Sequence, residues 1–152
     1  LDKVELWQPL LGEPADRLGP VLARRAGPAW WIYQVGRSPA KAIVPQCYRK
    51  LAWEAERRGA GGFGFWSFSD TGGSRAWDDL DGRRPDWAVV YEWPTGILSS
   101  RRWEAFKAGI EDFQLLRACS AAGRASQSGD AGDCARLRSS IDKQFEAASC
   151  LQ

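Results

Sequence analysis

Apolar residues recur along the first half of the chain with two periods that alternate. Aromatic and β-branched residues concentrate in three short runs that predict strands, Val4–Gln8, Trp30–Val35 and Gly62–Phe68. Between these runs, Pro14–Arg25 and Ile43–Arg58 predict helices, the second with its apolar residues in a single stripe at helical spacing. Strands that alternate with helices of this length are typical of βαβ units with a parallel sheet, so we expect an α/β fold.

The second half of the chain predicts one long connection and a helix. The polar stretch Ser69–Leu98 follows the third predicted strand, and connections of that length often carry function. It includes a short strand-like run, Trp87–Glu92. Ser99 and Ser100 offer an N-cap for a helix whose apolar positions are 103, 106, 110, 113 and 116.

Residues 120–133 differ in composition from the segments on either side. This stretch is rich in Ser, Gly and Ala, lacks the large apolar residues that a core requires, and predicts a flexible linker. Residues 134–152 beyond it predict a C-terminal amphipathic helix. The chain therefore divides into a domain at residues 1–119, the linker, and the final helix.

Composition argues against several classes of function. The formal net charge is +2 and basic residues form no block, so the chain lacks the electrostatic footprint of a nucleic-acid partner. No run approaches the roughly eighteen apolar residues of a membrane span, so no membrane partner is expected. The absence of histidine removes Ser–His and Cys–His nucleophile pairs and disfavours a zinc site. We expect neither a metal ion nor a cofactor.

The four cysteines show no Cys-x-x-Cys spacing. Cys47, Cys119 and Cys134 fall on predicted helix faces, where we interpret them as small apolar residues. The alternative is a disulfide such as Cys119 to Cys134, which would flank the predicted linker. The cysteine pattern leaves the redox compartment open.

Tryptophan is the one strong deviation in composition. The chain has nine Trp residues. A core accommodates some of them, but Trp is seldom fully buried and its indole N–H requires a partner. A surplus of Trp with few catalytic residue types suits a site that stacks flat rings, for which sugars and nucleic-acid bases are the two usual candidates.

Four segments together form a pattern of aromatic, glycine and charged residues. They are Val4–Pro9, Trp30–Tyr33, the set Arg49, Trp53, Gly59, Gly62, Phe63 and Trp66, and Ser100–Phe113. This pattern resembles the closing section of glycoside hydrolase family 123 barrels and their uncharacterised relatives, over roughly residues 2–120. The Gly-Ile-Glu-Asp run at 109–112 is its most specific part.

The resemblance implies a C-terminal portion of a (β/α)8 TIM barrel, about strands six to eight with their helices, plus a C-terminal helix. A complete barrel takes about 250 residues and eight strands, so the rest of the barrel is an expected partner. The resemblance also implies hydrolysis in which the substrate's acetamido group attacks, aided by an Asp-Glu pair on an earlier strand. That pair is not in this sequence, so we expect no catalytic residue in it. Four residues that match the family pattern are expected to have structural roles on the last barrel helix: Arg102, Glu104, Glu111 and Asp112.

Candidate ligand contacts lie where strands end, because parallel α/β folds build their sites at the carboxyl ends of the strands. Those ends are Trp7-Gln8, Tyr33-Gln34 and Trp66 to Asp70. We predict substrate contacts at Trp7, Tyr33 and Trp66, with the barrel core as the alternative location for each. Trp77 and Asp78 on the long connection predict a lid or subsite wall, with an ordered surface loop as the alternative.

Side-chain alternation predicts which way the third strand faces. Gly64 and Trp66 share one face, and Phe63 and Phe65 share the other. The Phe face is uniformly large and apolar, which suits packing on helices and directs Trp66 toward the barrel axis. The neighbouring tryptophans at 30 and 31 are both expected in the core.

We therefore expect a fragment of a glycoside hydrolase-like protein that acts on glycans, with N-acetylhexosaminides as the implied substrate class. The first alternative is a non-catalytic barrel that binds carbohydrate. A third hypothesis, a nucleic-acid-binding domain that stacks bases on Trp, is disfavoured by the lack of a basic patch.

Overall fold

The structure is a computed structural model that describes residues 5–26, 30–35, 43–71, 77, 87–125, 131–147 and 150. Within these ranges the fold is mixed α/β, with four helices and four short strands in two small sheets. The helices are α1 (Glu13–Ala26), α2 (Gln46–Arg57), α3 (Arg101–Ala125) and α4 (Ala131–Ala147). The strands are β1 (Trp31–Val35), β2 (Gly62–Trp66), β3 (Val90–Trp93) and β4 (Gly96–Ser99). The predicted α/β class is confirmed.

The first sheet pairs β1 with β2 in parallel, as the alternation of strands and helices predicts. Trp31 lies opposite Gly62 at the start of the pair, and Val35 lies opposite Trp66 at its end. The chain between the two strands contains α2, so the unit is β-α-β. The carboxyl ends of both strands therefore meet at one edge of the sheet.

A third extended segment runs beside β1 in the same direction. It makes parallel bridges from Trp7 to Trp30 and from Leu10 to Tyr33. The Tyr33 N–H donates to the carbonyl of Pro9 at 3.0 Å. Proline has no N–H to donate to a continuous ladder, which explains why the contact is limited to single bridges. The predicted strand is thus present only as isolated bridges, and these reach past the proline to Leu10.

Helices α2 and α3 pack on one face of the parallel sheet. Phe63 makes edge-to-face contacts with Phe106 and Phe113, with ring centroids 5.3 and 5.4 Å apart. Phe65 contacts Tyr48 of α2 in the same way at 5.2 Å. The predicted direction of the two β2 phenylalanines is therefore confirmed. The largest fully buried side chains are Trp30, Ile32, Leu51, Val89 and Val90.

Local residue chemistry explains where the helices begin and end. Helix α2 begins at Gln46 rather than at the predicted Ile43, because Pro45 disfavours helical geometry in the residue before it. The chain leaves α2 through Gly59, whose φ of 69° favours glycine. At α3, the Ser100 hydroxyl accepts the N–H of Trp103 at 3.2 Å, so the predicted N-cap is confirmed.

The sequence pattern missed one strand. Only a strand-like run at Trp87–Glu92 was predicted, whereas β3 pairs with β4 in an antiparallel hairpin. Trp93 lies opposite Gly96, which leaves Pro94 and Thr95 as the turn. Strand β4 is short and is followed directly by the N-cap of α3. Its residues therefore carry no strand pattern that is distinct from the start of the helix.

The predicted linker at residues 120–133 is wrong at both ends. Helix α3 continues to Ala125 and α4 begins at Ala131, while residues 126–130 lie outside the described ranges. Alanine is the best helix former, and the Ser120 hydroxyl donates back to the Leu116 carbonyl at 2.9 Å, so this composition is compatible with a helix. Among the described residues, no helix combines the length and apolar character needed to cross a membrane.

All four cysteines are paired in disulfides. Cys119 of α3 is joined to Cys134 of α4, with their Cα atoms 5.6 Å apart. Cys47 of α2 is joined to Cys150, with their Cα atoms 5.4 Å apart. The interpretation of three cysteines as free apolar residues is wrong, and the alternative pairing of Cys119 with Cys134 is confirmed. Because 103 positions separate the other pair in sequence, spacing gave no signal for it.

Candidate functional site

One face of the parallel sheet, opposite α2 and α3, has large side chains partly exposed to solvent. We call it the open face; it comprises Trp31, Tyr33 and Val35 of β1 and Gly62, Gly64 and Trp66 of β2. Trp31, Val35 and Trp66 are 38%, 48% and 44% exposed. Parallel sheets are normally covered on both faces, so this exposure is unusual.

Two glycines make room for neighbouring side chains on the open face. A Cβ on Gly62 would lie 2.6 Å from Cε2 of Trp31, so the indole rests against the backbone of β2. A Cβ on Gly64 would lie 3.0 Å from Nε2 of Gln8 and 3.8 Å from Cδ2 of Tyr33. The two glycines therefore let the Trp31 indole and the Gln8 amide lie directly against the backbone of β2.

Trp66 stands at the carboxyl end of β2 and is held by a carboxylate. Its indole Nε1 donates to Oδ2 of Asp70 at 2.9 Å. The Asp70 N–H donates to the Ser67 hydroxyl at 2.9 Å, which turns the chain back toward the strand end, and the Trp66–Ser67 peptide bond is cis. Because the carboxylate occupies the indole N–H, Trp66 offers a ligand its ring face. Oδ1 of Asp70 receives no hydrogen bond from the described residues.

Tyr33 lies in the middle of the open face, opposite Gly64. It is half-buried, and burial raises the pKa of its hydroxyl above the ordinary value. The hydroxyl is therefore neutral near pH 7 and can both donate and accept a hydrogen bond. Tyr33 and Trp66 are the two predicted contacts that share this face.

Trp7 does not belong to this group. It lies level with Trp30, whereas Trp66 lies level with Val35, so about 17 Å of strand separates the two tryptophans at 3.3 Å per residue. Trp7 packs against the buried core. The pairing of this segment with β1 continues past Pro9 to Leu10, so Trp7 does not lie at its carboxyl end, contrary to the prediction.

The other predicted contacts divide between the hairpin and residues outside the described ranges. Trp77 packs on Tyr91 with ring centroids 4.8 Å apart, and its indole N–H donates to the carbonyl of Glu92 at 2.8 Å. These contacts place Trp77 on the β3–β4 hairpin. Asp78 lies outside the described residues.

The site contains side chains that the sequence analysis did not assign to it. Trp31 was expected in the core with Trp30, but adjacent strand residues point to opposite faces, so only Trp30 is buried. Gln8 reaches the open face from the neighbouring segment. Asp70 lies in the predicted strand end Trp66 to Asp70, but the sequence analysis gave it no role of its own. The feature that could have identified it is its position four residues after Trp66, whose indole N–H it accepts.

Asp112 of the Gly-Ile-Glu-Asp run joins α3 to α2. It is buried, and its oxygens accept Nε and Nη2 of Arg49 at 2.6 and 2.9 Å. Oδ2 also accepts the indole N–H of Trp53 at 2.7 Å. The hydrogen bond from Arg49 to Asp112 raises the pKa of Arg49. Gly109 permits the close approach, since a Cβ there would lie 3.0 Å from the Arg49 carbonyl oxygen. The predicted structural role of Asp112 is confirmed.

Two charged residues earlier on α3, Arg102 and Glu104, also have structural contacts, whereas Glu111 is exposed. Nη2 of Arg102 donates to the Ala88 carbonyl at 3.0 Å and to the Tyr91 hydroxyl at 2.6 Å, which ties α3 to the hairpin. A hydrogen bond from Lys107 lowers the pKa of Glu104, and one from Ser99 lowers it further. Neither residue contributes to the open face.

Comparison with protein-family models and with curated proteins gives no match. Among the described residues, no group of three or more His, Cys, Asp or Glu side chains is arranged to hold a metal ion. The geometry that remains to be interpreted is the open face, with Trp66 and Asp70 at its carboxyl end.

Proposed function

We propose that the open face is part of the inner wall of a (β/α)8 barrel, to which this chain contributes about strands six to eight with their helices. The observation that carries the proposal is the one-sided cover of the sheet. Phe63 and Phe65 pack on α2 and α3, whereas Trp31 and Trp66 on the opposite face are partly exposed. In such barrels helices cover the outside of the parallel strands, and side chains from other strands fill the inside.

The proposed activity of the intact protein is that of a glycoside hydrolase-like protein acting on glycans. The resemblance to glycoside hydrolase family 123 suggests N-acetylhexosaminides as the substrate class. The ring face of Trp66 suits stacking on a sugar ring, while Asp70 and Tyr33 offer hydrogen bonds to hydroxyl groups. The catalytic acid pair would come from an earlier strand of the barrel.

The second candidate is a barrel that binds carbohydrate without cleaving it. Glycosidases need two carboxylates that flank one bond, or one acid with a substrate nucleophile. At the carboxyl ends of β1 and β2, the described residues offer the carboxylate of Asp70, and Trp66 already engages one of its oxygens. An Asp-Glu pair on an earlier strand of the intact protein favours the enzyme, and its absence favours the binding protein.

Chemical protection tests the proposed binding face. The protein is treated with N-bromosuccinimide, which oxidises exposed indoles, with and without a saturating oligosaccharide of N-acetylhexosamine, and each tryptophan is quantified by peptide mass spectrometry. We expect the sugar to protect Trp66. Trp93 on β3, which is 55% exposed, serves as the internal control and should stay reactive. Equal oxidation of Trp66 in both samples contradicts the proposal.

A further inference from the structure

Helix α4 is covalently attached close to both of its ends. Cys134, in its first turn, is joined to Cys119 of α3. Cys150, three positions after its last residue, is joined to Cys47 in the first turn of α2. The two disulfides therefore bracket one helix and attach it to two different neighbours.

Apolar burial contributes little to holding α4. Ile141 is its buried residue, Leu137 and Phe145 are partly buried, and most of its other described residues are exposed. A helix with so narrow an apolar contact derives little stability from packing. Crosslinks and polar contacts must supply the rest.

The polar contacts of α4 are partly buried between the helix and its neighbours. Nη2 of Arg138 donates to Glu56 at 2.7 Å and to the Ser120 hydroxyl at 2.6 Å. Nζ of Lys50 donates to the Phe145 carbonyl at 3.1 Å and lies 3.8 Å from the centroid of its ring. Because the Arg138 side chain is 41% exposed, water screens its ion pair with Glu56 on one side, so these contacts orient α4 more than they retain it.

The helix covers a seam between α2 and α3. A groove of about 320 Å³ along its edge is partly open to solvent; Trp53 of α2, Leu116 of α3 and Ile141 of α4 line it together with charged side chains. Trp53 is the residue whose indole N–H bonds to Asp112. Departure of α4 would expose this seam to water without breaking the parallel sheet.

We propose that α4 is a redox-controlled strap, closed over the α2–α3 seam by its two disulfides and released when they are reduced. To open each disulfide, an external dithiol supplies two electrons and two protons, which yields two cysteine thiols and converts the dithiol to a disulfide. The closed strap therefore belongs to an oxidising environment. This inference is independent of the proposed carbohydrate function.

Exposure sets the order of opening. Both Cys119 and Cys134 are half-buried, whereas Cys47 is buried and only Cys150 of that pair is half-buried. A thiolate must reach a sulfur atom to start exchange, so the Cys119–Cys134 disulfide should open first.

Hydrogen–deuterium exchange on the whole chain, measured by mass spectrometry with and without dithiothreitol, tests the strap. We expect reduction to speed exchange in α4 by about tenfold or more while β1, β2 and α2 keep their protection. Unchanged exchange in α4 overturns the proposal, as does simultaneous loss of protection in every element, because the disulfides would then hold the whole fold.

Paired variants separate the two crosslinks. The double variant Cys119→Ser/Cys134→Ser should loosen the start of α4 in oxidising buffer, and Cys47→Ser/Cys150→Ser should loosen its end. If either double variant exchanges like the oxidised protein throughout α4, the disulfide it removes does not hold the strap. Alkylation of the native chain during partial reduction reports the order in which the two disulfides open. Labelling of Cys47 before Cys119 contradicts the predicted order.

Discussion

Replacement of Asp112 by alanine tests the connection that this residue makes between α2 and α3. The substitution removes the acceptor for the Trp53 indole and for both donors of Arg49. Trp53 is buried, so its N–H is left without a partner away from water, at a cost of about 1–3 kcal/mol. Arg49 is different, because its side chain is 39% exposed and water screens the lost ion pair, which contributes about 0–1 kcal/mol.

Together these effects predict a loss of about 3 kcal/mol in the free energy of unfolding. For a chain of this length, that corresponds to a fall of roughly 6–12 °C in Tm by differential scanning calorimetry. Glu111→Ala is the matched control, since Glu111 is the adjacent residue of the same helix and is exposed. It should change stability by less than about 0.5 kcal/mol. Equal Tm values for the two variants would refute the assignment of Asp112 as the bond between the helices.

Two further predictions concern burial and close approach in the same core. Burial raises the pKa of Tyr48 to about 12, so the folded state holds this proton more tightly than the unfolded state does. The contribution of Tyr48 to the free energy of unfolding is complete below about pH 10 and is lost as pH rises toward 12. Between pH 8 and pH 11, urea unfolding should therefore show a smaller decrease in the free energy of unfolding for Tyr48→Phe than for the parent protein. Equal decreases would contradict the assignment. Gly62→Ala should destabilise the fold by about 1–3 kcal/mol, because the new Cβ meets the Trp31 indole at 2.6 Å. The same substitution in a Trp31→Ala background should cost much less, and an equal cost in both backgrounds would show that the contact is unimportant.

Side-chain alternation predicted one part of the site correctly and explains two errors. In β2 the alternation of glycine and phenylalanine gave the right faces for Phe65 and Trp66. The same rule, applied to Trp30 and Trp31, would have placed only one of them in the core. The proline predicts a strand end beside Trp7, but the Pro9 carbonyl still pairs with β1, so the prediction misplaces Trp7.

Other features depend on contacts that are distant in sequence. The pairing of Cys47 with Cys150 across 103 positions requires α4 to fold back over α2, and no local pattern encodes that path. The contact of Arg49 with Asp112 spans 63 positions, yet both residues lie in segments that resemble glycoside hydrolase family 123. The sequence predicted a structural role for Asp112, while its partners Arg49 and Trp53 emerged only from the geometry.

The affinity of the protein for an N-acetylhexosamine oligosaccharide, measured by isothermal titration calorimetry on matched tryptophan variants, tests the central claim most directly. Trp66→Ala should weaken binding by more than about tenfold, or 1.4 kcal/mol, because it removes the exposed ring at the carboxyl end of the open face. Trp103→Ala on α3, which removes a ring stacked on Phe106, should lower Tm and leave the affinity of the folded protein nearly unchanged. If Trp66→Ala keeps full affinity, or if Trp103→Ala alone loses it, the open face is not the sugar-binding wall.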